Sequence, residues 1–451
     1  MSASKLRKTG RFQRPQPAGA VELRPTNLSE LRHCLDPAAA TPLPIRPRGS
    51  GSAVTDCNSS IAGTTLHTTG LDRLVNVDAH NGSVTVQAGV RLNVLVDTLA
   101  EYGLELVGGY ELQGRTVGGA IAAPCFGPSI GRGGGYFSTH VSSLKIVLAD
   151  GRLLRIRPDQ GHLLSAFRMS FGLLGVIYEA TLRVRPIRTF SASHRRVDIG
   201  KFAAIVDTLS NSDIGFKFYL MPYRNRVYLD LRRYESAPGN AYRAPWKLKD
   251  WGESTVLPHV FRSLNRVLPV RKMKYNLIDT ISEATQNIVN SRFVNSGNNA
   301  AALSGYAGDR KRGRVYSTWC FPAANFSLIA KAYRDFCVAT YDECGYRCDL
   351  PAVGYRLCRD SSSPLSPSHD EPMIALTTTS TQTRGWEDFV IDLAEFAEKW
   401  GGMPLLSQSR ALRAENAIQS YARRLDLFRR MRRQLDPDNR LLSPFMAQFC
   451  Q

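Results

Sequence analysis

The sequence predicts an α+β protein of two domains. Three observations carry this. The chain has 451 residues, more than one ordinary domain holds. Strand patterns dominate the first 188 residues without the regular strand–helix alternation of a doubly wound parallel sheet. Around Pro186 the texture changes to aromatic strands mixed with basic segments. The expected division is 1–188, 189–400 and 401–451. With 43% hydrophobic and 22% charged residues, the chain can bury a full core.

Residues 26–35, TNLSELRHCL, have a capping residue, a first-turn Glu and helically spaced leucines, so they predict a capped helix. The Pro-punctuated LPIRPR then favours extended backbone, because each residue before proline is pushed out of the helical region. Residues 65–74, 71–77 and 83–88 are expected as strands, the last two joined at His80-Asn81-Gly82. Residues 92–102 place Leu92, Leu95, Val96 and Leu99 on one helical face, stopped by Gly103. A hairpin is expected across Asp150-Gly151, joining 144–148 to 153–156, and a half-buried strand within 171–185.

Beyond Pro186, FKFYLM, RVYLDLRRY and RVYSTWCF predict strands, and 324–337 and 386–400 predict helices, the latter ending at Gly401-Gly402. Residues 242–275 are expected to be a loop-rich basic stretch and 360–372 a Ser/Pro-rich loop. Residues 413–435 predict an arginine-rich helix closed by LDPDNRLLSPF. Its arginines suit a helix C-terminus.

The functional signal is concentrated in two glycine-rich stretches. Residues 115–127, RTVGGAIAAPCFG, hold so little side chain that backbone and a bulky partner can approach closely, and we expect loop and strand there. Glycine lets consecutive N–H groups converge on an anion, phosphate above all. A tight turn between packed strands would use the same residues. Residues 47–56, PRGSGSAVTD, place two glycines and three hydroxyls after an extended segment, a second phosphate loop. The G-x-G-x-x-G fingerprint between strand and helix is absent, which disfavours a Rossmann site.

The formal charge of +19 implies attraction to anions: nucleotide cofactors, phosphorylated substrates, anionic lipid or nucleic acid. The basic belt from Arg243 to Lys274, interleaved with aromatics, fits a solvated loop, or attachment to anionic membrane or a lipid phosphate. Nucleic acid is disfavoured, since no known module's spacing is present. Nine cysteines without a short-period framework suggest reduced thiols in a cytoplasmic protein. Cys337, Cys344, Cys348 and Cys358 read as buried thiols in preference to a zinc site, so no metal is expected. The basic N-terminus is followed by no apolar run, so neither signal peptide nor membrane span is expected.

Taken together, these stretches resemble the flavin oxidoreductases of the vanillyl-alcohol-oxidase (PCMH) type, whose FAD sits between two small α+β subdomains. PRGSGS with Asp56 is similar to that family's first phosphate loop and RTVGGAIAAPCFG to its second. FGLLGVIYEATLRVRP is similar to the strand closing the FAD site, and LDPDNRLLSPF to the returning C-terminal turn. KTGRF, the spacing from Arg48 to Asp56, and GYFSTHV with His140 resemble the decaprenylphosphoryl-ribose oxidases. GYRLCRDSSSPLSP resembles the aldonolactone and alditol oxidases, where an arginine in an equivalent strand faces substrate. The resemblance covers most of residues 5–190 and 400–445 and is loose between them.

It implies a two-subdomain FAD domain plus an α+β cap with an antiparallel sheet. The implied activity is FAD-dependent oxidation of an alcohol carbon in a sugar, lactone, polyol, or phosphorylated or lipid-linked sugar. The implied cofactor contacts are Arg48, Gly49, Ser50, Gly51, Ser52, Thr116, Gly118, Gly119, Ala122, Phe126, Gly127, His140, Val176 and Ile177. Many relatives bond flavin covalently through a histidine where this chain has Ser52, so FAD is expected to be noncovalent. The second loop usually ends His-Gly and here ends Phe126-Gly127.

The ribose oxidases' active-site lysine falls at Ser407 or Gln408, and their tyrosine at Leu405 or Leu406. Alcohol oxidation needs a polar partner for the hydroxyl and a C–H aimed at the flavin. The candidates are Arg356, Gln408, Arg410 and Tyr355, with Arg356 able to bind an anion or a developing alkoxide. The alternatives for Arg356 and His140 are structural, and for Cys125 a packed thiol. With the lysine, tyrosine and histidine replaced, a flavoprotein of altered or lost oxidase chemistry stands as the second functional reading.

Overall fold

The computed structural model describes residues 21–110, 114–131, 135–235, 243–287, 294–302 and 313–451. KTGRF, Tyr242 and residues 132–134 of the glycine-rich segment lie outside them.

Short apolar strands and glycine turns build two small sheets from the first part of the chain. Strands β1 (Val21–Leu23), β2 (Ile45–Arg48) and β3 (Thr64–His67) form a parallel sheet in the order β1-β3-β2, with helix α1 (Leu28–Leu35) between β1 and β2. The expected cap is present: Asn27 accepts from the Glu30 amide, and the Glu30 carboxylate accepts from the Thr26 amide at 2.8 Å.

The second sheet holds β4 (Leu74–Asp78), β5 (Ser83–Gln87), β6 (Leu104–Leu106), β7 (Val141–Val147), β8 (Leu153–Ile156) and β9 (Val176–Pro186). Its antiparallel order is β4-β5-β9-β7-β8, with β6 also pairing β9. Helix α2 (Leu92–Glu101) buries the four residues its periodicity marks, and Gly103 ends it at φ 68°.

Residues 115–127 differ from the expected loop and strand. Val117–Ala122 is a short helix, α3, whose first turn is capped by Thr116 Oγ1 accepting from the Gly119 amide at 3.2 Å. A Thr cap followed by Ala120 and Ala122 outweighs the glycine pair. The strand expected within 171–185 begins only at Val176. Ahead of it, after helix α4 (Gly161–Phe167), Met169, Phe171, Gly172 and Gly175 all have positive φ and form a turn.

The second part is one eight-stranded sheet of β10 (Phe190–Val197), β11 (Gly215–Met221), β12 (Arg226–Tyr234), β13 (Ser296–Gly297), β14 (Val315–Pro322), β15 (Ala352–Leu357), β16 (Met373–Ser380) and β17 (Met403–Pro404). The order is β13-β10-β12-β11-β15-β16-β14-β17, and every pairing is antiparallel. Strand alternation separates its two faces. Phe216, Phe218, Leu220, Trp319 and Phe321 pack with helices α5 (Ile199–Ser210), α9 (Phe326–Cys344) and α10 (Trp386–Lys399). Tyr219, Tyr228, Cys320 and Tyr355 face the other way and join the core of the first part.

The stretch expected as a basic loop is helical: α6 (Arg243–Trp251), α7 (Leu257–Val267) and α8 (Arg271–Thr285). Pro258 follows the π-helical turn Gly252–Val256 that joins α6 to α7, and Tyr275, Ile278, Asp279 and Ser282 form the buried stripe of α8.

The tail carries α11 (Ala414–Leu435), interrupted at Ala422 (φ 41°, ψ −125°), and α12 (Pro444–Cys450). It returns to the first sheet, as the Ile45 amide donates to the Arg440 carbonyl at 2.7 Å. The hub of that junction is Arg46, fully buried, whose guanidinium donates to the carbonyls of Cys57 (2.8 Å), Phe171 (2.6 Å) and Leu441. Burial pulls it down to about 10, so it stays charged at neutrality.

Candidate functional site

Both glycine loops open onto one cleft. The first loop contributes Gly49, Ser50, Gly51 and Ser52, the second Gly118, Gly119, Ala122 and Ala123, and the strand that follows Val176 and Ile177. The junction depends on absent side chains. A Cβ on Gly49 would lie 2.2 Å from Thr116 Oγ1, and one on Gly118 would lie 2.8 Å from the Ala88 Cβ. Gly172, at φ 70°, approaches Pro47 so closely that a Cβ would sit 2.5 Å from its ring. Thr116 is buried beneath the loops as the α3 cap, and Arg48 folds its guanidinium against Gly51 at the rim.

Several lining residues were not expected. Arg115, buried, spans the loops: its Nε donates to Ser52 Oγ at 3.3 Å and its Nη1 to the Pro124 carbonyl at 2.6 Å. It was visible as the cation opening the second motif. Asn58, Thr68 and the turn Ser170–Gly172 also line the cleft, and positive φ values cannot be read from a sequence that spells Met169 and Phe171. Ser407 reaches the cleft from the tail side, and its buried Oγ has no hydrogen-bond partner among the described residues.

Other expected residues sit elsewhere. Phe126 and Gly127 are not part of this lining; the Phe126 ring instead packs edge-on against Tyr136 and Tyr355, with centroids 6.0 and 5.9 Å away. His140 does not line the cleft either. It is buried beside Tyr110, neither ring nitrogen has a partner among the described residues, and burial, then Arg183 and Arg168, push it down to about 4. Cys125 is a packed thiol raised by burial.

Of the catalytic candidates, Arg356 is turned away from the cleft. Its guanidinium donates to the carbonyls of Ser212, Ser129 and Gly131, holding loops together, because Gly354 and Arg356 occupy the opposite face of β15 from Tyr355. Arg410 pairs with Glu387 on α10 at 3.6 Å and is likewise outside the lining. Gln408 adjoins it: its amide donates to the Pro124 carbonyl at 3.2 Å, the same oxygen that Arg115 binds.

Beside Phe126 the eight-stranded sheet presents a polar strip. Lys217 on β11 lies across from Tyr355 on β15 and Asp230 on β12, its Nζ 4.8 Å from the Tyr219 ring and 5.6 Å from that of Tyr355. Asp230 is fully buried and pairs with Arg232 at 2.8 Å and Lys249 at 3.4 Å. Burial opposes its charge, but the two cations hold it well below the usual carboxylate range. Sequence reading passed over Lys217 because Phe216, Phe218 and Leu220 mark the other face of its strand.

A glycine-walled cleft with an arginine across it and an orphaned serine hydroxyl suits a dinucleotide's diphosphate, and residues 19–157 match the family model of the FAD binding domain. Residues 180–449, more than half of the chain, match the model of D-arabinono-1,4-lactone oxidase. The chain belongs to the D-arabinono-1,4-lactone oxidase family. Curated relatives include L-gulono-1,4-lactone dehydrogenase of Mycobacterium tuberculosis, 30% identical over 210 residues (47% of this chain, 48% of that one). D-arabinono-1,4-lactone oxidase of Yarrowia lipolytica is 27% identical over 213 residues (45% and 40%). The matched region thus spans about half the length of these relatives or less. Cholesterol oxidase from B. sterolicum shares the fold with a TM-score of 0.78 at 14% identity, covering 95% of this chain and 94% of that one. The α+β, PCMH-type architecture implied by the sequence is therefore that of this lactone oxidase family member, and FAD is its cofactor.

Proposed function

We propose that this chain is an FAD-dependent oxidoreductase that oxidises an alcohol carbon of a sugar lactone or related polyol. The observation that carries the reading is the convergence of both glycine loops on one cleft beside Gln408. FAD, when bound, supplies the two-electron acceptor. The chain's own part is to bind, orient and exclude water. Gly49 to Ser52 would hold the diphosphate through backbone and hydroxyl groups, with Arg115 balancing its charge. Gly118 and Gly119, whose amides already donate to the Ala88 carbonyl and to Thr116 Oγ1, would let it approach closely over the buried Thr116 cap. Val176 and Ile177 would wall the cleft. The strip of Tyr355, Tyr219 and Lys217 would receive the substrate, with the ammonium donating to a substrate oxygen.

FAD would be noncovalent, since Ser52 offers a hydroxyl where a covalent bond needs imidazole. The division at 188 and 400 would separate cofactor and substrate domains. Nine free thiols support a reducing, cytoplasmic compartment. No described helix is long and apolar enough to cross a membrane, so we place any membrane contact at the surface, where a lipid-linked or phosphorylated sugar would also be met.

One observation favours a second reading, a flavoprotein with altered or lost oxidase chemistry: the family lysine position carries Ser407 or Gln408, and neither can be a charged acid or base. Anaerobic titration of the holoprotein with aldonolactones, alditols and phosphosugars separates the two. Bleaching of the flavin by one of them supports the oxidase, and no bleaching by any of them selects the second. Release of flavin on acid precipitation checks the noncovalent assignment.

A further inference from the structure

Helices α6 to α8 expose apolar side chains that a water-facing surface does not need. Leu248, Trp251, Val267, Val270, Met273 and Leu277 are between 41% and 73% exposed. On α8 they are ordered: Met273 and Leu277 lie four apart on one face, with Val270 at the N-cap beside them, away from the buried Tyr275, Ile278, Asp279 and Ser282. Lys272 and Lys274 flank that face on either side. Leu248 and Trp251, three apart, repeat the pattern on α6, with Trp246 and Lys249 turned inward.

The charge is predominantly positive. From Ser254 to Ile278 the chain contains no Asp or Glu, but it has Arg262, Arg266, Arg271, Lys272 and Lys274; Asp250, Glu253, Asp279 and Glu283 lie outside that run, with Glu253 and Asp279 buried. A second copy docking here would bring two such faces together, like charge against like. Nucleic acid would use the cations and leave the apolar stripe in water. A bilayer with anionic headgroups satisfies both, taking the apolar side chains into the acyl boundary while the lysines reach the phosphates.

We propose that the α6–α8 face is a peripheral docking surface for anionic phospholipid membranes. The inference rests on the surface placement proposed above, names the residues that make it, and is independent of the redox reading.

The test is co-sedimentation of the full-length holoprotein with vesicles of phosphatidylcholine alone or with roughly a third phosphatidylglycerol. The expected result is binding to the anionic vesicles only, weakened by salt. Lys272→Gln/Lys274→Gln should weaken it about thirty-fold, from about 1 kcal/mol for each lysine. Met273→Ser/Leu277→Ser should weaken it too; Lys272, Met273 and Leu277 are exposed and Lys274 is half-buried over the Tyr275 ring, so unchanged melting and flavin content would confirm folding. Binding of the intact protein with both variants unaffected overturns the assigned face but leaves peripheral placement standing. No binding to either vesicle, or equal binding to both, overturns that placement as well. A dimer in light scattering that Met273→Ser/Leu277→Ser dissolves would also overturn the proposal.

Discussion

Gly49 and Thr116, one from each phosphate loop, stand so close that a methyl group on Gly49 would lie 2.2 Å from Thr116 Oγ1. No real Cβ contact is that short, and Thr116 cannot yield without giving up the cap on α3. Gly49→Ala should therefore part the two loops and lose FAD while the cap domain stays folded. The flavin-to-protein ratio of the purified variant, read from its visible absorbance, should fall at least tenfold; wild-type flavin content would disprove the loop junction.

Arg46 should matter to stability more than to chemistry. Arg46→Met removes the charged donor from three carbonyls, those of Cys57, Phe171 and Leu441. A loss of about 3–5 kcal/mol is expected, as for breaking other buried charged networks. Denaturant unfolding with and without added FAD would measure it, and a loss below about 1 kcal/mol would mean the tail docks by apolar contacts alone.

His140 makes acid sensitivity legible. Its folded value, near 4, lies below the 6.5 of a free imidazole. Above about pH 6.5 both folded and unfolded forms are neutral and it contributes nothing to pH dependence. As pH falls from 6.5 to 4 the unfolded chain takes up the proton first, costing the fold up to ~3 kcal/mol. Because neither nitrogen has a partner among the described residues, His140→Phe strands nothing there. The variant should match wild type at pH 7 and keep more stability at pH 4.5; parallel melting curves across that range would refute the assignment.

The sequence was informative where a residue type has one physical use. The glycines of both loops, the Asn27 cap and the four-residue apolar face of α2 all stood where their chemistry required. It was uninformative where direction depends on packing. Arg356 is in the expected strand, and strand alternation turns it toward the Ser212 and Ser129 carbonyls. Residues 243–285 look like a basic loop because their exposed face is unusually apolar, which blurs the helical contrast between inner and outer residues. The turn at Met169 to Gly175 gave no signal because only two of its four positive-φ residues are glycine.

Lys217 separates binding from folding at the substrate side. Its ammonium sits between the rings of Tyr219 and Tyr355, and Tyr355 in turn meets Phe126 at the end of the second loop. An ammonium there would donate to a substrate oxygen, an interaction worth about 1.5–3 kcal/mol for a charged donor. Lys217→Met should thus lower kcat/KM for the best lactone about 10- to 100-fold with flavin content unchanged. Lys217→Arg keeps a cation but not its compact geometry, so it should recover only part of the loss. Arg356→Leu supplies the contrast, because it removes the clamp on the 129–131 and 210–212 loops and should lower the melting temperature without the same fall in kcat/KM. If instead Lys217→Met leaves catalysis intact while Arg356→Leu abolishes it in a fully folded protein, the substrate lies on the other face of the sheet.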